Sequence, residues 1–178
     1  MRRLGGLALA LLGLLLALPV SAATAGETIS AAEAEYAAAS RAMLAATVTI
    51  VPASVSGGEA GFSSGVIVDP SGLVLSDGDA GLEWRREGAR QFQVRHEAVD
   101  VRVYDRTTGT SKLYRAKVLA RDVNVDTSLI RIENAPPGGF PFLTVGRSED
   151  LRAGRVLLAA GTAFDEKGRA PPTATAGD

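Results

Sequence analysis

The stretch Gly61-Phe62-Ser63-Ser64-Gly65 matches Gly-x-Ser-x-Gly, a pattern in which a serine nucleophile is held on a strained turn. That chemistry needs a strand before the serine and a helix after it. Here a Gly/Ser loop over 54–60 comes before, and the β-branched run Val66 to Val68 comes after, so Ser63 and Ser64 read as a strand entry. Asp77, Asp79 and Glu83 alternate near Gly78 and Gly81, a grouping that invites a calcium reading. An EF-hand loop needs oxygen ligands at its first, third and fifth positions and glycine at the sixth. The fifth position here is Gly81, so the segment reads as a solvated acidic turn. His96 is the only histidine, and the chain has no cysteine. Without a second imidazole or thiolate to share a metal, His96 reads as an exposed loop residue. Thiol nucleophiles, disulfides and thiolate zinc sites are excluded by composition. No cofactor or metal is expected.

The elements that would position these residues are short. Ser30-Ala31-Ala32-Glu33 fits a capping box, and Tyr36, Ala39, Met43 and Leu44 follow on one side at helical spacing. This predicts a helix from about 31 to 45, packed on the main domain. From Thr47 the signal turns to β: Thr47 to Val51 is β-branched throughout, with Pro52 ending it. Val66 to Val68, the turn Asp69-Pro70-Ser71-Gly72, and Leu73 to Leu75 read as a hairpin. Val99, Val101 and Val103 alternate with polar partners, as do Tyr114, Ala116, Val118 and Ala120. Leu129 to Ile132 and Arg155 to Ala160 are two more strands. Six short strands before the Pro136-Pro137-Gly138-Gly139 connection argue for a small antiparallel barrel or sandwich. Val66, Val68, Val101, Val103, Val118, Leu129, Ile130 and Ile132 are the expected core.

Bulk properties narrow the partners. The formal net charge is −1 and aromatics make up 5% of the residues, which gives no basis for nucleic-acid binding. Arg2 and Arg3 precede an apolar run, Leu4 to Leu18, of Leu, Ala and Gly only, followed by Pro19 and small residues. That is the pattern of a secretory signal peptide over residues 1–25, and the run is shorter than the roughly 20 residues of a membrane span. Export to the periplasm or the medium is expected, with no membrane anchoring after cleavage.

Taken in order, these pieces resemble the trypsin-like serine proteases, and among them the HtrA/DegP-like branch. Ser64-Gly65-Val66-Ile67-Val68-Asp69-Pro70-Ser71-Gly72-Leu73-Val74-Leu75-Ser76 is similar to the hairpin that leads to the family's catalytic histidine. Ala116-Lys117-Val118-Leu119-Ala120-Arg121-Asp122 with Val125-Asp126-Thr127-Ser128-Leu129-Ile130-Arg131-Ile132 is similar to the run carrying the triad acid. Val145 to Gly161 is similar to the segment that opens the second barrel. The resemblance implies an all-β fold. Residues 26–46 would be a helical segment, 47–140 a first six-stranded antiparallel barrel, and 141–178 the opening strands of a second.

Carried over by position, Asp126 falls on the triad acid, and Asp79 falls where the family has its histidine. The family's Gly-Asn-Pro-Phe-Gly appears as Gly161-Thr162-Ala163-Phe164-Asp165, and the nucleophile motif is expected beyond Asp178. The resemblance therefore implies a protease-family domain that is catalytically silent as written, either a pseudoprotease or a truncated piece of a longer protease, with Asp79 and Asp126 facing each other across the old active site. The other reading is a non-enzymatic barrel that holds extended peptides or unfolded protein by strand addition.

Overall fold

The computed structural model describes residues 23–52, 59–162 and 171–177. Contacts divide the chain into a unit of residues 1–34 and a unit of residues 35–178. The signal-peptide segment lies, up to residue 22, outside the described residues. No helix among the described residues is long and apolar enough to cross a membrane.

Helix α1 runs Ala23–Ala46, so it starts earlier than the capping-box reading, and Ser30 lies inside it. The predicted apolar stripe is only partly buried. Tyr36 and Ala39 are exposed, Met43 and Leu44 half-buried, and Ala46 alone is fully covered. Alanine is the best helix former, so this segment is helical through propensity more than through packing. Thr47 donates from Oγ1 to the Met43 carbonyl at 2.8 Å, where the helix gives way to strand.

The strands follow in order: β1 (Thr47–Pro52), β2 (Glu59–Ala60), β3 (Ser63–Asp69), β4 (Leu73–Asp77), β5 (Leu82–Glu87), β6 (Arg90–Arg95), β7 (Ala98–Asp105), β8 (Thr110–Asp122), β9 (Thr127–Ile132), β10 (Leu157–Thr162) and β11 (Pro172–Gly177). Six of them close an antiparallel barrel in the order β1-β3-β4-β9-β8-β7, with β7 returning to β1. The all-β barrel expected from the sequence is present, and its six strands are the six anticipated. Closure leaves none of them with a free edge.

Side-chain parity inside the barrel differs from expectation. In β3 the inward set is Ser63, Gly65 and Ile67, which puts Val66 and Val68 on the outer, half-buried face. Gly65 explains the choice. A Cβ there would lie 2.8 Å from Val74 Cγ1 and 3.2 Å from Ile50 Cδ1, so the narrow barrel accepts only hydrogen at this point. Val48, Ile50, Ile67, Val74, Val99, Val101, Ala116, Ile130, Ile132 and Phe140 form the core, with Val103 and Val118 packed at its border. Leu129, like Val66, faces outward.

Two smaller sheets accompany the barrel. β10 and β11 pair with each other, as the opening strands of a second barrel would. β2, β5 and β6 form a three-stranded sheet, of which β2 falls within the expected Gly/Ser loop over 54–60. β5 and β6 turn at Gly88, whose φ of +61° suits glycine. Their arginines hide the apolar alternation by which strands are usually recognised.

Candidate active-site corner

The end of β4 and the turn after it carry Asp77 and Asp79. Asp77 organises this corner. Its carboxylate Oδ1 accepts from Ser63 Oγ at 3.1 Å and from the Asp79 N–H at 3.0 Å. Its carbonyl accepts from Ser128 Oγ at 2.7 Å. Ser63, the central serine of the Gly-x-Ser-x-Gly match, is thus buried and bonded to a carboxylate. Ser64 Oγ instead accepts the Thr162 N–H at 2.9 Å and so fastens β10 to the barrel. Thr49 Oγ1 donates to Thr162 Oγ1 at 3.1 Å beside it. Neither serine sits on a strained strand-to-helix turn.

Asp126 adopts a left-handed φ of +49°, tolerable for aspartate in a turn. In this conformation its carbonyl and its Oδ1 both accept the Gly78 N–H, each at 3.1 Å. The contact is close: a Cβ on Gly78 would lie 2.6 Å from Asp126 Oδ1. Asp126 is therefore brought against the turn that carries Asp79, one residue away along the chain. Both Asp79 and Asp126 are solvent-exposed.

His96 and Glu83 stand otherwise than the sequence suggested. Glu83 is not part of a solvated turn; it is on β5 and its side chain has no solvent exposure. His96 is not an exposed loop residue; its side chain is 19% exposed and its Nε2 lies 2.7 Å from Glu83 Oε2. Since an ionised carboxylate only accepts, Nε2 is the donor. Arg85 donates to the same oxygen at 3.1 Å. The Arg85 bond first, and the His96 bond second, hold the Glu83 carboxyl below its ordinary 4.5, against the opposing effect of burial. Arg121 donates to the Ala80 and His96 carbonyls, both at 2.9 Å, and so ties this cluster to the turn holding Asp79. The sequence signal that could have found the pair was the two-residue Gly88-Ala89 loop between equal arms, which sets Glu83 opposite Val94.

Among the described residues no group of three or more His, Cys, Asp or Glu side chains converges as metal ligands would. A profile of the trypsin-like peptidase domain matches residues 63–178. The chain belongs to that family. The resemblance read from the three sequence blocks is borne out, and the match begins where β3 begins. Among solved structures the chain resembles Deg5, of the HtrA family, with a TM-score of 0.56 and 19% identity. That similarity covers 82% of this chain and 62% of the Deg5 chain, so this chain spans less than two thirds of it. No curated protein matches the chain.

Proposed function

We propose that this trypsin-like domain is an exported, non-hydrolytic member of the HtrA/DegP-like branch that holds extended polypeptide without cutting it. What supports the reading is that Asp79, at the position the sequence resemblance assigns to the family's histidine, is a solvent-exposed carboxylate, while Asp126, at the position it assigns to the triad acid, is bonded to the adjacent Gly78 N–H. A serine hydroxyl becomes a useful nucleophile when a base of near-neutral pKa takes its proton. Imidazole suits that role, whereas a carboxylate of reference pKa about 3.9 does not. The only imidazole of the chain is bonded to Glu83 and lies with the β5–β6 hairpin. Strand addition to a sheet edge is the mode by which a β-fold of this kind would hold extended polypeptide. The experiment is fluorescence anisotropy with labelled, unfolded casein, followed by electrophoresis of the recovered casein. Saturable binding with casein left intact is expected. No binding would remove the holding role, and fragments would remove the non-hydrolytic one.

A further inference from the structure

The β7–β8 hairpin outgrows its neighbours in the barrel. β1 pairs with β7 only from Val99 to Arg102, and β9 pairs with β8 only from Ala116 to Asp122. Residues 103–105 and 110–115 therefore overhang, and the inward face of the overhang has no strand to cover it. The connection over 136–141 takes that place. It is fixed to the barrel by the Phe140 N–H, which donates to the Pro70 carbonyl at 2.9 Å, and it is turned on itself by the Gly139 N–H on the Pro136 carbonyl at 2.8 Å. Between hairpin and connection lies a pocket of about 480 Å³, lined by Val103, Lys112, Tyr114, Pro136, Phe140 and Pro141 among others. That is within the roughly 300–1,000 Å³ of small-ligand sites.

The walls combine an apolar surface with two cations, Lys112 and Arg106, and the Arg106 guanidinium donates to the Pro172 carbonyl. Tyr114 and Phe140 meet edge to face, with ring centroids 5.1 Å apart and planes at 85°. Val103 stands directly across the hairpin from Lys112. The Lys112 ammonium lies 4.8 Å from the centre of the Tyr114 ring. Among the described residues it makes no ion pair. The nearby Asp105 carboxylate, also in the lining, is engaged by the Thr107 N–H at 2.8 Å and the Thr108 N–H at 3.3 Å. An ammonium beside aromatic and proline surface, with the adjacent acid already bonded, complements a carboxylate attached to an apolar group.

We infer that this pocket binds the free carboxyl terminus of an extended peptide whose last residue is apolar. The carboxylate meets Lys112, and the terminal side chain lies on Tyr114 and Phe140. The choice of a peptide rests on the polypeptide-holding role proposed above; the pocket chemistry itself does not.

The test is fluorescence polarisation with an amino-terminally labelled hexapeptide ending in phenylalanine, in free-acid and amidated forms. The free acid should bind at least about tenfold more tightly, the range expected for one hydrogen bond to a charged group. Lys112→Gln, which keeps the aliphatic stem, should remove that difference. Lys117→Gln should preserve it, since Lys117 pairs with Glu133 on the barrel surface. Equal binding of acid and amide, or a difference that survives Lys112→Gln, would overturn the assignment. So would 3-phenylpropanoate displacing the peptide with equal affinity, which would make this a small-acid pocket. Casein binding measured in parallel separates the two proposals. Casein bound without any Lys112-dependent peptide effect removes the pocket assignment alone. A Lys112-dependent peptide bound without casein keeps the pocket and removes the broader holding role.

Discussion

Two acidic corners flank the turn between β4 and β5, and their carboxylates face different things. At the first, Asp126 and Asp79 are exposed to water, and Asp126 is occupied with a backbone N–H of Gly78. At the second, Glu83 has lost all solvent contact and faces the side chains of His96 and Arg85. The family's acid–base chemistry would require an imidazole at the first corner. The chain has its imidazole at the second, where it bonds to Glu83 within the β5–β6 hairpin. A carboxylate–imidazole pair is thus no mark of a catalytic site by itself. Position on the scaffold decides, and on the proposal that Asp79 stands at the histidine position the two are separated here.

If the second corner is structural, Glu83→Ala should give the largest loss of the substitutions considered. It empties a buried volume and leaves Arg85 and His96 without the acceptor they share. A drop in the urea midpoint, larger than for any single change at Asp79 or Asp126, is the expected reading. An unchanged midpoint would mean the cluster contributes nothing to folding.

The acid limb sharpens the same point. Glu83, Asp69 and Asp105 all have their carboxyls held below the ordinary values of 4.5 and 3.8: Glu83 chiefly by Arg85, Asp69 by Ser71 and Asp105 by Thr107. A depressed acid stabilises the fold above its unfolded pKa, and that contribution disappears as the pH falls through the folded value. Stability should therefore be level near neutrality and decline below about pH 4.5. Glu83→Gln should flatten that decline, as read from urea midpoints between pH 3 and pH 7. A slope unchanged by this substitution would place the acid sensitivity elsewhere.

At the first corner, Gly78→Ala should cost about 1–3 kcal/mol, because the new methyl collides with Asp126 Oδ1. In an Asp126→Ala background the cost should shrink, since the obstructing atom is a side-chain oxygen. Additive losses in the double mutant would show that the closeness of Gly78 to Asp126 is of no energetic importance. Asp79→His is the smallest change. The side chain is exposed, so stability should stay within about 0.5 kcal/mol of the parent.

What the sequence could reveal followed from how each signal is written. The barrel strands announce themselves by β-branched alternation, as in Val99 to Val103, whereas Asp126 and Asp79 are singled out only by position in the family's blocks, an expectation that the cleavage assay tests. Parity in β3 was hidden because Val66, Ile67 and Val68 are all apolar, and only the crowding at Gly65 selects the inward residue. The β5–β6 hairpin was hidden because Arg85, Arg86, Arg90 and Arg95 break the apolar alternation. With the hairpin unseen, Glu83 and His96 could not be paired, and two partners 13 residues apart looked like a turn and a loop. Ser64 offered no hint of its link to Thr162, a contact across 98 positions.

The central claim is that the corner holding Asp79 and Asp126 performs no peptide-bond hydrolysis. The most direct measurement is the rate of fluorescent casein cleavage by the purified chain, beside Asp79→His, Ser63→Ala and Ser64→Ala variants. The parent, Ser63→Ala and Ser64→Ala should stay at the buffer rate because no imidazole stands at the proposed position of the base, and Asp79→His should stay there because Ser63 is bonded to Asp77 and Ser64 to Thr162. Turnover by the parent that Ser63→Ala or Ser64→Ala abolishes would contradict the account and place an active serine at the start of β3.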